Sequence, residues 1–242
     1  MVSYEPSRVI RVIPEILSAL PLTLWVLVVT VLLGSLLGFL LAYVQISREA
    51  SFSQIAKGYV FILRCTPPIV QCIFETATAK MIAVTTRACL LPRFIEWWLG
   101  IDVNGWSRAV FVILAMTLLF GASISEVFKS SYQALPKGQI EAGLSIGLTE
   151  YQTFIRILLP QAFRIALPNI VTAIINLLKD IALAYTIGLV DLMGEGNLII
   201  SRNMGNYSLE TYTAVAIVYW VLAFFLSFIA HVTENELNTE KG

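Results

Sequence analysis

The stretch from Leu20 to Ile46 contains no charged side chain. A helix needs about 20 predominantly apolar residues to cross the hydrocarbon core of a membrane, so this run is long enough for one span. The whole chain is 57% hydrophobic and 13% charged. Ordinary globular domains have about 45–50% apolar and about 25% charged residues. The sequence therefore predicts an all-α integral membrane protein surrounded by lipid.

Four further apolar runs follow, so we predict five transmembrane helices within one domain that covers residues 1–242. The predicted spans are 20–46, 55–78, 109–130, 165–190 and 211–230. Residues 4–19 mix Arg8, Arg11 and Glu15 with valine and isoleucine, a pattern typical of an interfacial helix lying on the bilayer. Gly34 and Gly38 have the spacing that lets a neighbouring helix approach closely. Five spans place the termini on opposite sides, but the Lys and Arg residues divide equally between those sides, so the positive-inside rule gives no orientation.

The second predicted span is interrupted by Arg64 and by Thr66-Pro67-Pro68. Consecutive prolines break a helix, and broken helices at membrane depth often line a substrate path. A central arginine costs about 2.5–3.5 kcal/mol on insertion scales, so Arg64 should face a protein interior or a polar cavity; the alternative is an arginine at the membrane edge that reaches the interface. The same cost applies to the charges of the third and fourth spans, where we considered Glu126 and Lys179 as partners. The candidate pathway residues are Arg64, Thr66, Pro67, Gln71, Glu126, Lys179 and Asp180.

Motifs for catalysis and metal binding are absent from the sequence. It has no Gly-x-x-x-x-Gly-Lys-Ser/Thr phosphate loop, so we expect the purified chain alone to hydrolyse no ATP. One histidine and three cysteines without metal-ligand spacing leave no catalytic set and no metal site. The formal net charge is zero, which gives no reason to expect a nucleic-acid partner. Any energy that the protein uses must therefore come from a partner or from an ion gradient; the third alternative is that it uses none.

The polar stretch between the third and fourth predicted spans has the pattern of two short helices joined by a bend. Pro136 suits the first helical position, and Gly147 can supply the left-handed residue that ends the first helix. Thr149 followed by Gln152 has the capping-box spacing that opens the second helix, and Pro160 is expected to close it.

This stretch resembles the EAA loop of the membrane subunits of ABC importers. The resemblance is carried by Glu141-Ala142-Gly143, by Gly147 and by Leu159-Pro160. Further matching segments point to the branch that carries polar amino acids: Arg64-Cys65-Thr66-Pro67, the residues from Gln161 to Pro168, and Leu178-Lys179-Asp180. The resemblance runs from about Thr23 to Trp220. It implies the type I importer permease fold, with a cytoplasmic coupling loop at 131–164 in which Glu141, Ala142, Gly143 and Gly147 contact a separate ATPase.

The resemblance also implies the function and the partners. The chain would be the permease subunit of an importer of a polar amino acid, and the stretches Gln139–Gly147 and Val190–Gly194 look like the cystine-transporting subgroup. ATP and Mg²⁺ would be bound by the ATPase subunits, with no cofactor in this chain. A second permease, identical or related, and an extracytoplasmic binding protein would complete the assembly. The implied location is the bacterial inner (plasma) membrane, with the N-terminus outside and the C-terminus in the cytoplasm.

Two departures from the family pattern affect these expectations. Gly143 stands where the family commonly has alanine, which a packed face should tolerate. Ile181-Ala182 replaces the usual Thr-Ser pair and removes two hydroxyls near the expected pathway. The alternative function is a stand-alone secondary transporter or channel, since broken helices and buried charges suit that class too. Copurification of a soluble ATPase would favour the importer.

Overall fold

The computed structural model describes residues 4–46, 50–67, 69–70, 108–136 and 138–239. The regular structure in these ranges is helical. The helices are α1 Pro6–Leu17, α2 Leu20–Ile46, α3 Ala50–Cys65, α4 Arg108–Gln133, α5 Gly138–Ser145, α6 Glu150–Ile187, α7 Leu192–Arg202 and α8 Ser208–Thr239. The helix α6 changes type along its length: Glu150–Thr153 and Leu159–Ile181 are α-helical, Phe154–Leu158 is a π-helical turn, and Ala182–Ile187 is a 3₁₀ segment.

Four helices in the described ranges are long and apolar enough to cross a membrane. They are Leu20–Ile46, Ala109–Gln133, Glu150–Ile187 and Ser208–Val232. They overlap the predicted first, third, fourth and fifth spans, which confirms an all-helical membrane protein. Of the predicted second span, 55–78, the first part lies in α3, which ends at Cys65 just before the bend at Thr66 and Pro67. Its residues 71–78 lie outside the described residues.

The prediction that Pro160 closes a helix is wrong. The helix α6 begins at Glu150 and continues through both Pro160 and Pro168 to Ile187, where Gly188 ends it in the left-handed conformation with φ 86°. A proline inside an α-helix clashes with the carbonyl four residues earlier. The π-helical turn before Pro160 widens the backbone at this point: the N–H of Leu159 donates to the carbonyl of Phe154, five residues back.

The chain divides into two compact units. The first comprises Met1–Thr30, Thr66–Thr117 and Leu178–Trp220. Within it, α1 forms as predicted and buries Val9 and Ile16. Polar contacts hold both ends of α1: the backbone N–H of Glu5 donates to Glu210 at 3.0 Å, and Arg202 pairs with Glu15 at 2.6 Å. One face of the predicted interfacial helix therefore packs against protein.

The second unit comprises Val31–Cys65, Leu118–Leu177 and Val221–Gly242. Within it, Gly38 of α2 lies against Gly121 and Ile124 of α4. A Cβ atom added at Gly38 would lie 2.8 Å from Cγ2 of Ile124 and 2.9 Å from the carbonyl oxygen of Gly121. Phe39 and Phe128 meet edge to face nearby, with ring centroids 5.7 Å apart. Gly38 of the predicted glycine pair thus permits the contact between these helices.

Replacing Gly38 by alanine should destabilise the protein, because the backbone of Gly121 cannot move aside as a flexible side chain could. Overpacking a well-packed site typically costs about 1–3 kcal/mol. Gly58 is the matched control, since a Cβ there meets nothing within 4 Å and Gly→Ala inside a helix is otherwise stabilising. We expect thermal unfolding in detergent to occur at a lower temperature for Gly38→Ala and at an equal or higher one for Gly58→Ala. Equal melting of Gly38→Ala and the unmodified protein would contradict the close crossing.

Candidate functional site

In the hairpin formed by α5 and the start of α6, the C-terminal end of α5 is well defined. The N–H of Leu148 donates to the carbonyl of Gly143 at 3.1 Å, and the N–H of Gly147 donates to the carbonyl of Leu144 at 3.0 Å. These two bonds form a Schellman motif, with Gly147 in the left-handed region at φ 86°. This confirms the prediction that Gly147 ends the first helix of the hairpin.

A capping box opens α6, as predicted. The backbone N–H of Gln152 donates to Oγ1 of Thr149 at 3.2 Å, and the backbone N–H of Thr149 donates to Oε1 of Gln152 at 3.0 Å. Only Leu148 separates this cap from Gly147, so the turn between the two helices is short and its backbone groups are largely satisfied. Pro136 differs from the prediction, because it precedes α5 instead of occupying its first position; its carbonyl accepts the N–H of Gln139.

Gly143 faces into the hairpin and contacts Thr153. A Cβ added at Gly143 would lie 2.6 Å from both Cγ2 and Oγ1 of Thr153, which is 1% exposed. Gly143 and Gly147 therefore do not share a face: Gly143 is buried, whereas Gly147 is exposed and a Cβ there meets nothing within 4 Å. The spacing of four residues does not apply across the end of the helix, because the left-handed residue turns the chain away.

Two further contacts fasten α5 to α6. Nε2 of Gln139 donates to Oε1 of Gln161 at 2.9 Å. Beside this bond lies an apolar cluster in which three residues are buried and three are partly buried: Leu135, Leu158, Ala162, Tyr132, Ile140 and Phe154. The hairpin is thus packed on its inner side by small and apolar groups, and only its outer side is available to a partner.

The outer side of the hairpin combines a carboxylate with apolar side chains. Glu141 and Ala142 are exposed, as are Leu144 and Ile146, the latter by 75%. A cavity of about 590 Å³ opens beside Glu141. It is lined by Tyr132, Gln133, Leu135, Pro136, Ile140, Glu141 and Leu158. The sequence did not single out the exposure of Ile146, which lies in the turn directly after α5.

The structure describes all but one of the predicted pathway residues. Arg64, Pro67 and Lys179 are exposed on this chain, while Thr66 and Asp180 are partly buried. Gln71 lies outside the described residues. Lys179 and Asp180 occupy the end of the α-helical part of α6, directly before the 3₁₀ segment that begins at Ala182. In the described part of the chain, no group of three or more His, Cys, Asp or Glu side chains is arranged to hold a metal ion.

Glu126 takes part in a polar network of the second unit. Its carboxylate pairs with Nζ of Lys129 at 2.9 Å, so the partner is Lys129, where we had considered Lys179. Nζ of Lys129 also donates to Oε1 of Gln45 at 3.1 Å, and Nε2 of Gln45 donates to Ser125 at 3.3 Å. The network links the ends of α2 and α4, which fits a role in holding these helices together.

A second buried polar group, which the sequence pattern did not reveal, lies in the first unit. Asp191 is fully buried and caps α7 by accepting the N–H of Gly194 at 2.8 Å; it also accepts the hydroxyl of Tyr219 at 3.0 Å. Burial raises the pKa of Asp191, although these hydrogen bonds act in the opposite direction. An Asp at this position is a recognisable N-cap signal, but the glycines and asparagines of residues 191–208 indicate a polar loop, so the sequence does not predict α7.

A comparison with known protein families identifies the family to which this chain belongs. Residues 34–238 match the family described as "Binding-protein-dependent transport system inner membrane component". The chain belongs to this family. It is the permease subunit of an ABC importer, a multi-pass inner-membrane protein and not an enzyme. The resemblance seen in the sequence is confirmed, and membership decides against a stand-alone secondary transporter.

Individual relatives cover almost the whole permease. It is 33% identical over 237 residues to the L-cystine transport system permease protein TcyL of Bacillus subtilis (strain 168), covering 97% of this chain and 92% of TcyL. It is 32% identical over 233 residues to the arginine transport system permease protein ArtQ of the same organism, covering 96% and 97%. A solved amino acid ABC transporter chain has the same fold, with a TM-score of 0.79, 22% identity, and coverage of 97% and 99%.

Proposed function

We propose that this permease imports a polar amino acid, with L-cystine as the favoured substrate, in an assembly powered by a separate ATPase. Support for the class comes from the names of TcyL and ArtQ, and support for cystine from the resemblance of Gln139–Gly147 and Val190–Gly194 to the cystine subgroup. Two ATPase subunits would bind ATP and Mg²⁺, an extracytoplasmic binding protein would deliver the substrate, and a second permease would complete the pathway. No cofactor is assigned to this chain.

The observation that carries the coupling role is the exposed outer side of the hairpin. Glu141, Ala142 and Gly147 form its polar and small part, and Leu144 and Ile146 form its apolar part. Apolar side chains exposed together on a loop mark a surface that another protein covers. We assign this surface to the ATPase. Gly143 contributes indirectly: it allows α5 to pack closely against Thr153 and does not itself contact the partner.

The topology we propose has five spans, of which residues 55–78 form the second. The hairpin then lies in the cytoplasm, the N-terminus and the interfacial helix α1 lie outside, and the C-terminus lies inside. This orientation follows the family resemblance. The helix α6 leads without a break from the hairpin into a candidate span. Movement of the ATPase would then reach the membrane directly.

For the pathway we propose Arg64, Thr66, Pro67, Gln71, Lys179 and Asp180. Arg64 and Lys179 are charged, lie in or beside apolar segments and are exposed on this chain. Charges in such positions are costly against lipid, so a second permease is expected to cover them. Glu126 is retained only as a supporting residue, because its carboxylate is engaged by Lys129.

Reconstitution tests the proposed function as a whole. Vesicles that contain the permease, the ATPase subunit and the binding protein should take up labelled L-cystine when ATP is supplied. Vesicles without the ATPase subunit should show neither uptake nor ATP hydrolysis, because this chain has no phosphate loop. A panel that includes arginine and glutamate identifies the substrate. Uptake of arginine with none of cystine would refute the cystine assignment and leave the permease assignment intact.

Replacing Gly147 by aspartate should abolish ATPase binding and uptake while the permease still inserts in the membrane. A Cβ at Gly147 meets no atom within 4 Å, so the hairpin has room for the side chain. An unpaired charge buried at an interface typically costs about 3–5 kcal/mol. Gly147→Asn is the matched control, because asparagine has the same shape and also tolerates the left-handed conformation. ATPase retention by the aspartate variant on copurification, with normal uptake, would exclude this surface.

Replacing Arg64 by leucine should lower uptake more than it lowers the amount of permease in the membrane. Lys57 provides the control, because it is an exposed cation two turns earlier on α3 and is not a pathway candidate. We expect Lys57→Leu to retain uptake and Arg64→Leu to lose most of it at comparable membrane levels. Equal uptake by both variants would make Arg64 an interface residue without a role in the pathway.

A further inference from the structure

We propose that Gly143 and Thr153 form a matched contact that fixes α5 on the first turns of α6, so that the hairpin and this part of α6 move as one rigid body. The contact makes Thr153 a positioning residue for coupling. The inference rests on the proposed coupling role of the hairpin, and it adds how a displacement of α5 reaches the helix that enters the membrane.

The contact leaves no free space on either side. Thr153 is 1% exposed, and both branches of its side chain lie 2.6 Å from the position that a Cβ at residue 143 would take. Threonine is branched at Cβ, so one of its branches occupies the region beside Gly143 in most rotamers. The glycine at position 143 therefore complements the threonine at position 153. Closely packed interiors are poorly compressible and transmit strain, so pressure on α5 acts directly on Thr153.

The arrangement also bridges the π-helical turn of α6. Phe154–Leu158 is the segment in which α6 departs from regular geometry and where bending would be expected. Thr153, just before this turn, contacts Gly143 of α5. Gln161, after the turn, accepts a hydrogen bond of 2.9 Å from Gln139 of α5. Because α5 contacts α6 both before and after the π-helical turn, α5 stiffens α6 at this turn.

In α5, the exposed residues can contact a partner, and the buried residue can pass the partner's movement on to α6. Glu141 and Ala142 face outward, where a partner can push or pull. Gly143 follows directly and faces Thr153. A force applied to the outer side thus passes through the thickness of one short helix. The same geometry explains why glycine at position 143 is required in this chain and not merely tolerated.

The first test compares Gly143→Ala with Gly138→Ala in the reconstituted complex. Gly138 lies on the same helix, and a Cβ there meets nothing within 4 Å. Gly143→Ala should retain the ATPase on copurification but lower uptake per ATP hydrolysed by about two- to thirtyfold, the range in which residues between coupled sites alter coupling. Gly138→Ala should change neither. The double variant Gly143→Ala/Thr153→Ala should restore the ratio, because alanine at position 153 vacates the space that the new methyl group needs.

Each other outcome overturns the inference. An unchanged ratio for Gly143→Ala shows that the contact does not transmit movement. Loss of the ATPase shows that position 143 belongs to the docking surface, and failure of the double variant to recover shows that the two residues are not matched. The proposed function fails separately, because in that case the unmodified complex itself shows no ATP-driven uptake.

A second test does not depend on how Gly143→Ala folds. Gln139→Cys and Gln161→Cys are introduced together in a chain whose Cys65, Cys72 and Cys89 have been replaced by serine. A short thiol-specific cross-linker then joins α5 to α6 across the former hydrogen bond. If the hairpin moves as one rigid body, the double variant should transport no more slowly after cross-linking than before it, because the cross-link replaces the lost hydrogen bond. The reagent should affect neither single-cysteine variant. Loss of uptake on cross-linking would show that α5 must move relative to α6, and the inference would be wrong.

Discussion

The continuity of backbone hydrogen bonds through α6 is the constraint on which the hairpin depends. Pro160 has no N–H, and in an ordinary α-helix its ring would collide with the carbonyl of Arg156. The π-helical turn removes this conflict by pairing Leu159 with Phe154, one residue farther back than usual. The helix therefore remains a single element from the exposed hairpin to Ile187. A break at this point would have left carbonyl groups unpaired close to the hydrocarbon region, where each costs several kcal/mol.

Local chemistry explains which parts of this architecture the sequence could predict. The first span followed from a run without charge, the capping box from the spacing of Thr149 and Gln152, and the end of α5 from Gly147, because each depends on neighbours in the chain. The passage of α6 through Pro160 could not be predicted, since a proline signals both a helix end and a distorted continuation. The inward direction of Gly143 was missed because it depends on the packing of one helix on the next.

For the charged residues too, the sequence predicts only part of their environment. A charge within an apolar segment indicates only that it must avoid lipid, not which partner it finds. Lys129 satisfies this requirement within the second unit by contacting Glu126 and Gln45, and its side chain is 21% exposed. Arg64 and Lys179 are exposed on the single chain. Nothing in the sequence distinguishes these cations, whereas the three-dimensional contacts show that Lys129 joins α2 to α4.

The two glycines at positions 143 and 147 serve different physical needs, and this difference determines how the hairpin can work. Gly147 is required for its backbone angle, since its Cβ position is open and its φ is 86°. Gly143 serves close packing, because a Cβ there would lie 2.6 Å from two side-chain atoms of Thr153. Exposed Ile146 and Leu144 gain most from being covered, because burying an apolar side chain is worth about 1.5–3 kcal/mol. A partner that binds the outer side would therefore contact a helix whose inner side already packs against Thr153.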